Sequence, residues 1–274
     1  GMAVFWILNG LLKKIILSDY LAVNFIDRVF DNPMLFSGFE NLMALFAYSL
    51  QVYADFSGYT DIAIGLSLLM GFYLPRNFNS PYKAPNCSNF WKRWHISLSR
   101  WLQNYLYIPL GGNRVKPLRM YLNLFIVWFC TGFWHGASWN FILWGLFFFV
   151  VLVLEKRFLL PHLDRHPCLS RIYVIVLLIL SWTLFAITDL SALGQYFVRM
   201  FSFTGGSDWI YYLRNYGVTL LLCGFFSTPV LKSFYEKHLA TRKWLTTLLL
   251  CGVLLLSVAY LVDATYNPFL YFRF

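Results

Sequence analysis

The sequence predicts an all-α membrane protein, a polytopic bundle of transmembrane helices with further helices lying in the interface. Three observations carry that prediction. Hydrophobic residues make up 59% of the 274 and charged residues only 12%, and the mean hydropathy is +0.59, a balance that a water-facing surface does not tolerate. Aromatic residues reach 21%, with 11 Trp and 18 Tyr, the rings that favour the two membrane–water boundaries. The apolar segments number about seven, each too long and continuous for the strands of a membrane barrel.

Charge and cysteine usage narrow the function classes. The net charge of +10, from 22 basic and 12 acidic residues, reads in such a chain as cytoplasmic loops and anionic headgroups, and not as a nucleic-acid partner. The cysteines at 87, 130, 168, 223 and 251 form no CxxC and no ligand spacing with histidine, so free thiols and no metal site are expected.

In chain order, an apolar start to Leu12 is interrupted by Lys13-Lys14 and resumes to Leu17. A secretory signal has its positive charge before the apolar region and a small-residue cleavage site after it, so this start is expected to stay with the chain. Stretches 39–56 and 61–74 read as membrane segments divided at Gly58, the second ending at Leu74-Pro75. Residues 75–119 hold eight basic residues (Arg76, Lys83, Lys92, Arg93, Arg100, Arg114, Lys116, Arg119) and no acidic one, which places them on the cytoplasmic side.

Within that segment, Ser88 to Tyr107 has apolar or aromatic residues at 90, 91, 94, 98, 101, 102 and 105 with Lys92, Arg93 and Arg100 around them, the pattern of an interfacial helix. On one helix, Arg93 and Arg100 stand nearly two turns apart and share a face. Tyr107–Arg114 supplies a Pro and two Gly, a tight turn in preference to a phosphate cradle. Residues 121–154 are 34 positions without Lys, Arg, Asp or Glu, too many for one span of about 20. Gly132-x-x-x-Gly136 divides them, giving two short spans or one bent one. Spans at 172–187, 217–231 and 244–262 follow. With no repeat, linker or boundary in view, 1–274 is expected to be a single membrane-embedded domain, multi-pass in the inner or plasma membrane.

Two histidines carry the chemistry. His95 lies in Phe90-Trp-Lys-Arg-Trp-His-Ile-Ser-Leu-Ser-Arg100, and His135 in Thr131-Gly-Phe-Trp-His-Gly-Ala-Ser-Trp-Asn140. An imidazole at membrane depth is costly and marks a functional site or a hydrogen-bonded packing role. It is also the side chain suited to proton transfer near neutrality. Trp94, Trp134 and Trp139 flank the pair and join Arg93 and Arg100 as candidate substrate contacts. In Gln51-Val-Tyr-Ala-Asp-Phe-Ser-Gly-Tyr-Thr-Asp61, Gln51 and Asp55 are four apart, as are Ser57 and Asp61. Asp55, Ser57 and Asp61 fit substrate binding, and equally fit a network that ties helices together.

These strings, with Tyr105-Leu-Tyr-Ile-Pro-Leu-Gly-Gly-Asn-Arg114 and the terminal Asn267-Pro-Phe-Leu-Tyr-Phe-Arg-Phe274, resemble the membrane-bound O-acyltransferase family, and within it the bacterial branch that acetylates exopolysaccharides such as alginate. The resemblance covers nearly the whole chain and is densest over 51–139. It implies an O-acetyltransferase in which His135, in its Trp-His-Gly context, is catalytic, with His95 as the second polar residue of the pair. It also implies acetyl-CoA or another acyl thioester as donor substrate, no bound cofactor, and a periplasmic acetyltransferase or polysaccharide-synthesis partner. Family members carry further spans upstream, so the chain is expected to be the C-terminal catalytic part of a longer protein.

The residues agree with that chemistry. A hydroxyl that attacks a thioester must lose a proton, which His135 can accept, whereas no Gly-x-Ser-x-Gly elbow supports a serine acyl-enzyme. No acidic residue lies between Asp61 and Glu155 to orient a triad. The alternatives are D-alanyl transfer to teichoic acid from a carrier protein, and a transporter that uses intramembrane Asp and His as a relay. The paired broken helices of an inverted repeat, which a transporter of that kind would show, are not visible.

Overall fold

A computed structural model of the chain describes residues 1–202 and 206–263, so the terminal Asn267–Phe274 motif lies outside the described residues. Every regular element among those residues is helical, as the composition requires. The α-helices are α1 (Met2–Leu11), α2 (Asp27–Asp31), α3 (Gly38–Leu69), α4 (Cys87–Trp91), α5 (Ile96–Leu102), α6 (Pro117–His135) and α7 (Trp139–Leu154). They continue as α8 (Leu160–Arg165), α9 (Pro167–Ala186), α10 (Leu190–Met200), α11 (Trp209–Phe226), α12 (Val230–Phe234) and α13 (Lys243–Asp263). Among the described residues, their packing divides into two units, one of residues 1–76 with 198–202 and 206–263, the other of 77–197.

In the first unit α3 is one continuous helix of 32 residues, where the sequence suggested two segments parted at Gly58. Its start is a capping box: Ser37 Oγ accepts the Glu40 N–H and the Glu40 carboxylate accepts the Ser37 N–H. It stops where Gly71 takes a φ of +84°, with Phe72 N–H donating back to Ser67 O at 2.8 Å, a left-handed cap that favours glycine. Gly58 does not break the helix because its missing side chain serves packing. A Cβ there would stand 2.8 Å from Gly10 O, and Gly10 in turn leaves room for Gly58 O. The α1 backbone therefore crosses α3 at close range, as small residues allow in membrane bundles.

The chain runs from α1 into π-type turns over Leu12–Asp19, which carry Lys13 and Lys14 into the interior against α3. Among the described residues, Pro167–Ala186 and Lys243–Val262 are long and apolar enough to cross a membrane, and Trp209–Phe226 with Val230–Leu239 makes a third span if that pair, bent by 68°, is counted as one. The first two match the expected spans near 172–187 and 244–262, whereas the span expected at 217–231 runs across the bend. That span breaks at Ser227–Pro229, where Pro229 begins a new turn.

In the second unit the uncharged run 121–154 forms a hairpin of two helices, α6 and α7, with the division at the expected place. His135 is the last residue of α6, Gly136 follows in extended backbone, and α7 begins at Trp139. Gly132 and Gly145 let the two helices touch, since a Cβ on either would strike the carbonyl oxygen of Phe141 or Trp128.

Candidate active site

The segment expected to be one interfacial helix from Ser88 to Tyr107 is broken. Its first piece, α4, ends at Trp91, and its second, α5, begins at Ile96. Between them the chain turns through His95, whose φ of 44° lies in the left-handed region that non-glycine residues rarely adopt. The cause is a clasp by the loop upstream: Asn77 O accepts the Ile96 N–H at 3.0 Å, and Asn79 N–H donates to Arg93 O at 2.9 Å. Such strain persists only where surrounding contacts hold it, and it concentrates at functional sites.

The break also corrects the placement of the two arginines, which are not on one helix face. Arg93 sits in the turn, with Nε donating to Asn89 Oδ1 at 2.6 Å and Nη1 to Asn79 O at 3.3 Å. Arg100 is exposed on α5. Trp94 is only 3% exposed and belongs to the aromatic core, stacked on Phe90 at 5.5 Å and against Trp182 at 5.4 Å.

His95 and His135, 40 positions apart, both neighbour one indole, that of Trp134. The His95 ring centroid is 6.2 Å from that of Trp134, and the His135 centroid is 4.9 Å from it. His135 is half-buried at the end of α6, enclosed by Trp144 at 5.1 Å and Phe185 at 5.2 Å. The α7 start and the α9 end that supply this cage are tied together, with Asn140 Nδ2 donating to Leu184 O at 3.1 Å. Trp134 and Trp139 are 55% and 68% exposed, so the Trp134 indole that neighbours both histidines keeps open surface.

Burial pushes the His95 imidazole down to about 4, because the charged form loses hydration. It is thus neutral, and able to accept a proton, at ordinary pH. His95 Nδ1 faces Asn77 Oδ1 at 3.3 Å, and the same oxygen receives Ser97 N–H at 3.0 Å and Ser97 Oγ–H at 2.9 Å. Sequence reasoning missed Asn77, because Pro75–Pro81 carries only the signals of a loop. The Tyr107–Arg114 stretch is a turn with positive φ at Gly111 and Gly112. Asn123 of α6 holds its carbonyls, donating to Leu110 O at 3.0 Å and Gly112 O at 3.1 Å.

Asp55, Ser57 and Asp61 belong to the first unit and are buried there. Asp61 pairs with Lys13 at 2.7 Å and also accepts Asn9 Nδ2, while Asp55 pairs with Lys14 at 2.6 Å. Lys14 reaches Asp19 as well, at 2.7 Å. These ion pairs tie the Lys13–Lys14 segment to α3.

A peptidoglycan O-acetyltransferase of Helicobacter pylori is 51% identical over 158 residues, 58% of this chain and 29% of that protein. A probable alginate O-acetylase AlgI of Pseudomonas putida is 35% identical over 299 residues, 97% of this chain and 60% of that protein. A teichoic acid D-alanyltransferase of Bacillus subtilis is 34% identical over 125 residues, 43% of this chain and 32% of that protein. The chain thus spans less than two thirds of the length of these relatives. The model of MBOAT, the membrane-bound O-acyltransferase family, matches residues 1–188, the stretch that contains both histidines and the Trp134 between them, and the chain belongs to that family.

Proposed function

We propose that this chain is the catalytic part of a multi-pass inner-membrane O-acetyltransferase. It moves an acetyl group from a cytoplasmic thioester donor, acetyl-CoA, to a hydroxyl of a cell-surface or exopolysaccharide acceptor, directly or through a periplasmic partner transferase. The observation that carries this reading is the meeting of His95 and His135 around Trp134, in a chain whose relatives include proteins named O-acetylases.

In this scheme His135 is the general base. It takes the proton of the acceptor hydroxyl as the oxygen attacks the thioester carbonyl, and the thiolate leaves with its electron pair and is then protonated. A base poised this way contributes about 10²–10⁴-fold. His95, neutral at operating pH, completes the proton path or orients the donor. The exposed faces of Trp134 and Trp139 provide apolar contact, and Arg100 with the other basic residues of 75–119 suits the donor's phosphates. The teichoic acid relative keeps D-alanyl transfer as the second reading, with a carrier-bound thioester in place of acetyl-CoA.

The test uses the full-length protein. His135→Ala at normal membrane levels should abolish acetyl transfer from labelled acetyl-CoA, and His95→Ala should reduce it less completely. Full acetylation by the His135→Ala protein would sink the assignment, and transfer only from an aminoacyl carrier would select the second reading.

A further inference from the structure

We propose that the apolar cavity between α1, α12 and α13 is a lipid site, holding one acyl chain of an anionic phospholipid whose phosphate is met by Lys232 and Arg76 beside Trp6.

The cavity follows from the bend that parts α12 from α11. There the chain turns by 68°, and α12 with the π-type turns Tyr235–Leu239 lays Leu231, Tyr235 and Leu239, each four apart, along one wall. Phe5 and Leu8 of α1 line it as well, with Phe5 stacked on Tyr235 at 4.0 Å. Its volume is about 150 Å³ and its walls are almost wholly carbon. Two polar side chains that line it are turned to protein partners: Thr246 Oγ1 donates to Leu239 O at 2.5 Å, and Asn9 Nδ2 to Asp61 Oδ2 at 2.7 Å. A cavity of this size and lining stays dry and takes up apolar ligands.

Position selects the ligand. The helix α13 is long and apolar enough to cross a membrane, and only 11% of that span is buried by protein. Its cavity-lining residues run from Thr246 to Val253, within ten residues of its start at Lys243. At the helical rise this is a depth of about 15 Å, half of a hydrocarbon core of about 30 Å. The cavity therefore lies within one leaflet, and Leu249 on its wall is 46% exposed, which opens it to the chains of that leaflet.

Charge selects the headgroup. Trp6 follows Phe5 in α1, and its ring centroid has Lys232 Nζ at 5.6 Å and the Arg76 guanidinium carbon at 6.0 Å. Two cations held at one indole repel each other, whereas a phosphate accepts hydrogen bonds from both. Lys232 also reaches Glu236 at 3.3 Å, a pair whose carboxylate is exposed and carries little weight. Lys237, Arg242 and Lys243 follow, against that single acidic residue in 228–243. Basic clusters at the membrane surface attract anionic lipids, and indoles favour the same boundary. An apolar segment of protein would fill the cavity and leave both cations unmatched, but one anionic phospholipid supplies chain and charge together. Arg76, among the basic residues of 75–119, then serves the lipid and not the donor.

The experiment is native mass spectrometry of the full-length protein in detergent, titrated with phosphatidylglycerol or with phosphatidylcholine carrying the same acyl chains. We expect one phosphatidylglycerol to bind more tightly than any phosphatidylcholine. Lys232→Gln and Arg76→Gln should each weaken it about fivefold, the attraction of one basic residue to an anionic surface, and leave phosphatidylcholine binding unchanged. Val253→Trp, which fills the cavity from the helix that fronts the bilayer, should remove the tight site. Equal affinity for the two lipids, or unaltered binding in both charge variants, overturns the proposal. Tight binding that survives Val253→Trp places the lipid elsewhere, and no retained lipid in wild type means that another part of the protein covers the cavity; either result overturns it as well. If Val253→Trp fails to fold, the two charge variants decide.

Discussion

The carboxylate of Glu155 accepts the backbone N–H of Cys87 at 2.7 Å, across 68 residues of sequence. Its second oxygen takes the Ser88 N–H at 3.0 Å, so a buried anion closes the start of α4, where unpaired N–H groups and the helix dipole favour negative charge. Burial, reinforced by this charge, pushes the Cys87 thiol well above its ordinary range, which keeps it protonated. The cap links the end of α7 to the segment that carries half of the histidine pair.

Glu155→Ala should therefore destabilise the protein more than Glu155→Gln does. Alanine leaves both N–H groups without an acceptor, at about 1–3 kcal/mol for each buried donor, whereas glutamine retains one carbonyl oxygen. Thermal unfolding in one detergent would rank wild type above Glu155→Gln above Glu155→Ala. Equal midpoints for all three would show that the cap contributes nothing.

Gly58→Ala tests the close crossing of α1 and α3. Alanine improves helix propensity by up to about 1 kcal/mol, but its Cβ would lie 2.8 Å from Gly10 O and 3.2 Å from Lys14 N. Both neighbours are backbone, so no side-chain rotation relieves the contact, and overpacking of this kind costs about 1–3 kcal/mol. A net loss of stability is expected, larger for Gly58→Leu. An alanine variant as stable as wild type would contradict the crossing.

What the sequence made legible followed the range of its causes. The division of 121–154 at Gly136 was readable because an uncharged run longer than one span must turn somewhere, and glycines marked the place. The turn at Gly111-Gly112 was readable for the same local reason. Gly58 carried the identical mark but proved to be a packing contact, since the residue that needs the space, Gly10, lies far off in sequence. The break before Ile96 left no local mark, as the apolar spacing of Ser88 to Tyr107 suits a continuous helix and the clasp from Asn77 and Asn79 is tertiary. His95 and His135 were each conspicuous from cost and chemistry, but their convergence on Trp134 depends on the hairpin and the clasp together. Lys13 and Lys14, read as an interruption, find their carboxylates 48 and 41 residues away.

The low value of His95 has a pH consequence. Its ordinary value is 6.5 and burial takes it to about 4, so as pH falls through that window the unfolded chain binds the proton first. Stability from neutral His95 is present in full above about pH 6.5 and is lost as pH falls towards 4. The His95 nitrogen resonances should accordingly stay in the neutral form at pH 5.5 and titrate near 4. A midpoint near 6.5 would place the ring in water.

The segment 75–119, basic throughout and free of acidic residues, should face the cytoplasm. In a full-length variant without native cysteines, Lys116→Cys should be shielded from impermeant thiol reagents in intact cells and react after permeabilisation. Labelling from outside would reverse the orientation and remove the case for a cytoplasmic donor.

The two arginines of the Trp-rich segment should separate in their kinetics, because the structure gives them different neighbours. Arg100 is exposed on α5 and free to meet donor phosphates, a charge-assisted contact made equally in ground and transition states. Arg100→Gln should then raise the KM for acetyl-CoA while kcat holds, the signature of lost uniform binding, and the effect should shrink with a donor lacking the nucleotide. Arg93 instead stitches the turn before His95 to Asn89 and Asn79. Arg93→Gln should therefore lower kcat or the folded yield and leave the donor KM nearly unchanged. Steady-state kinetics on full-length variants at matched protein levels would decide it: a KM effect confined to Arg93 would reverse the assignment, and two unaltered donor KM values would leave both arginines as anchors to anionic headgroups.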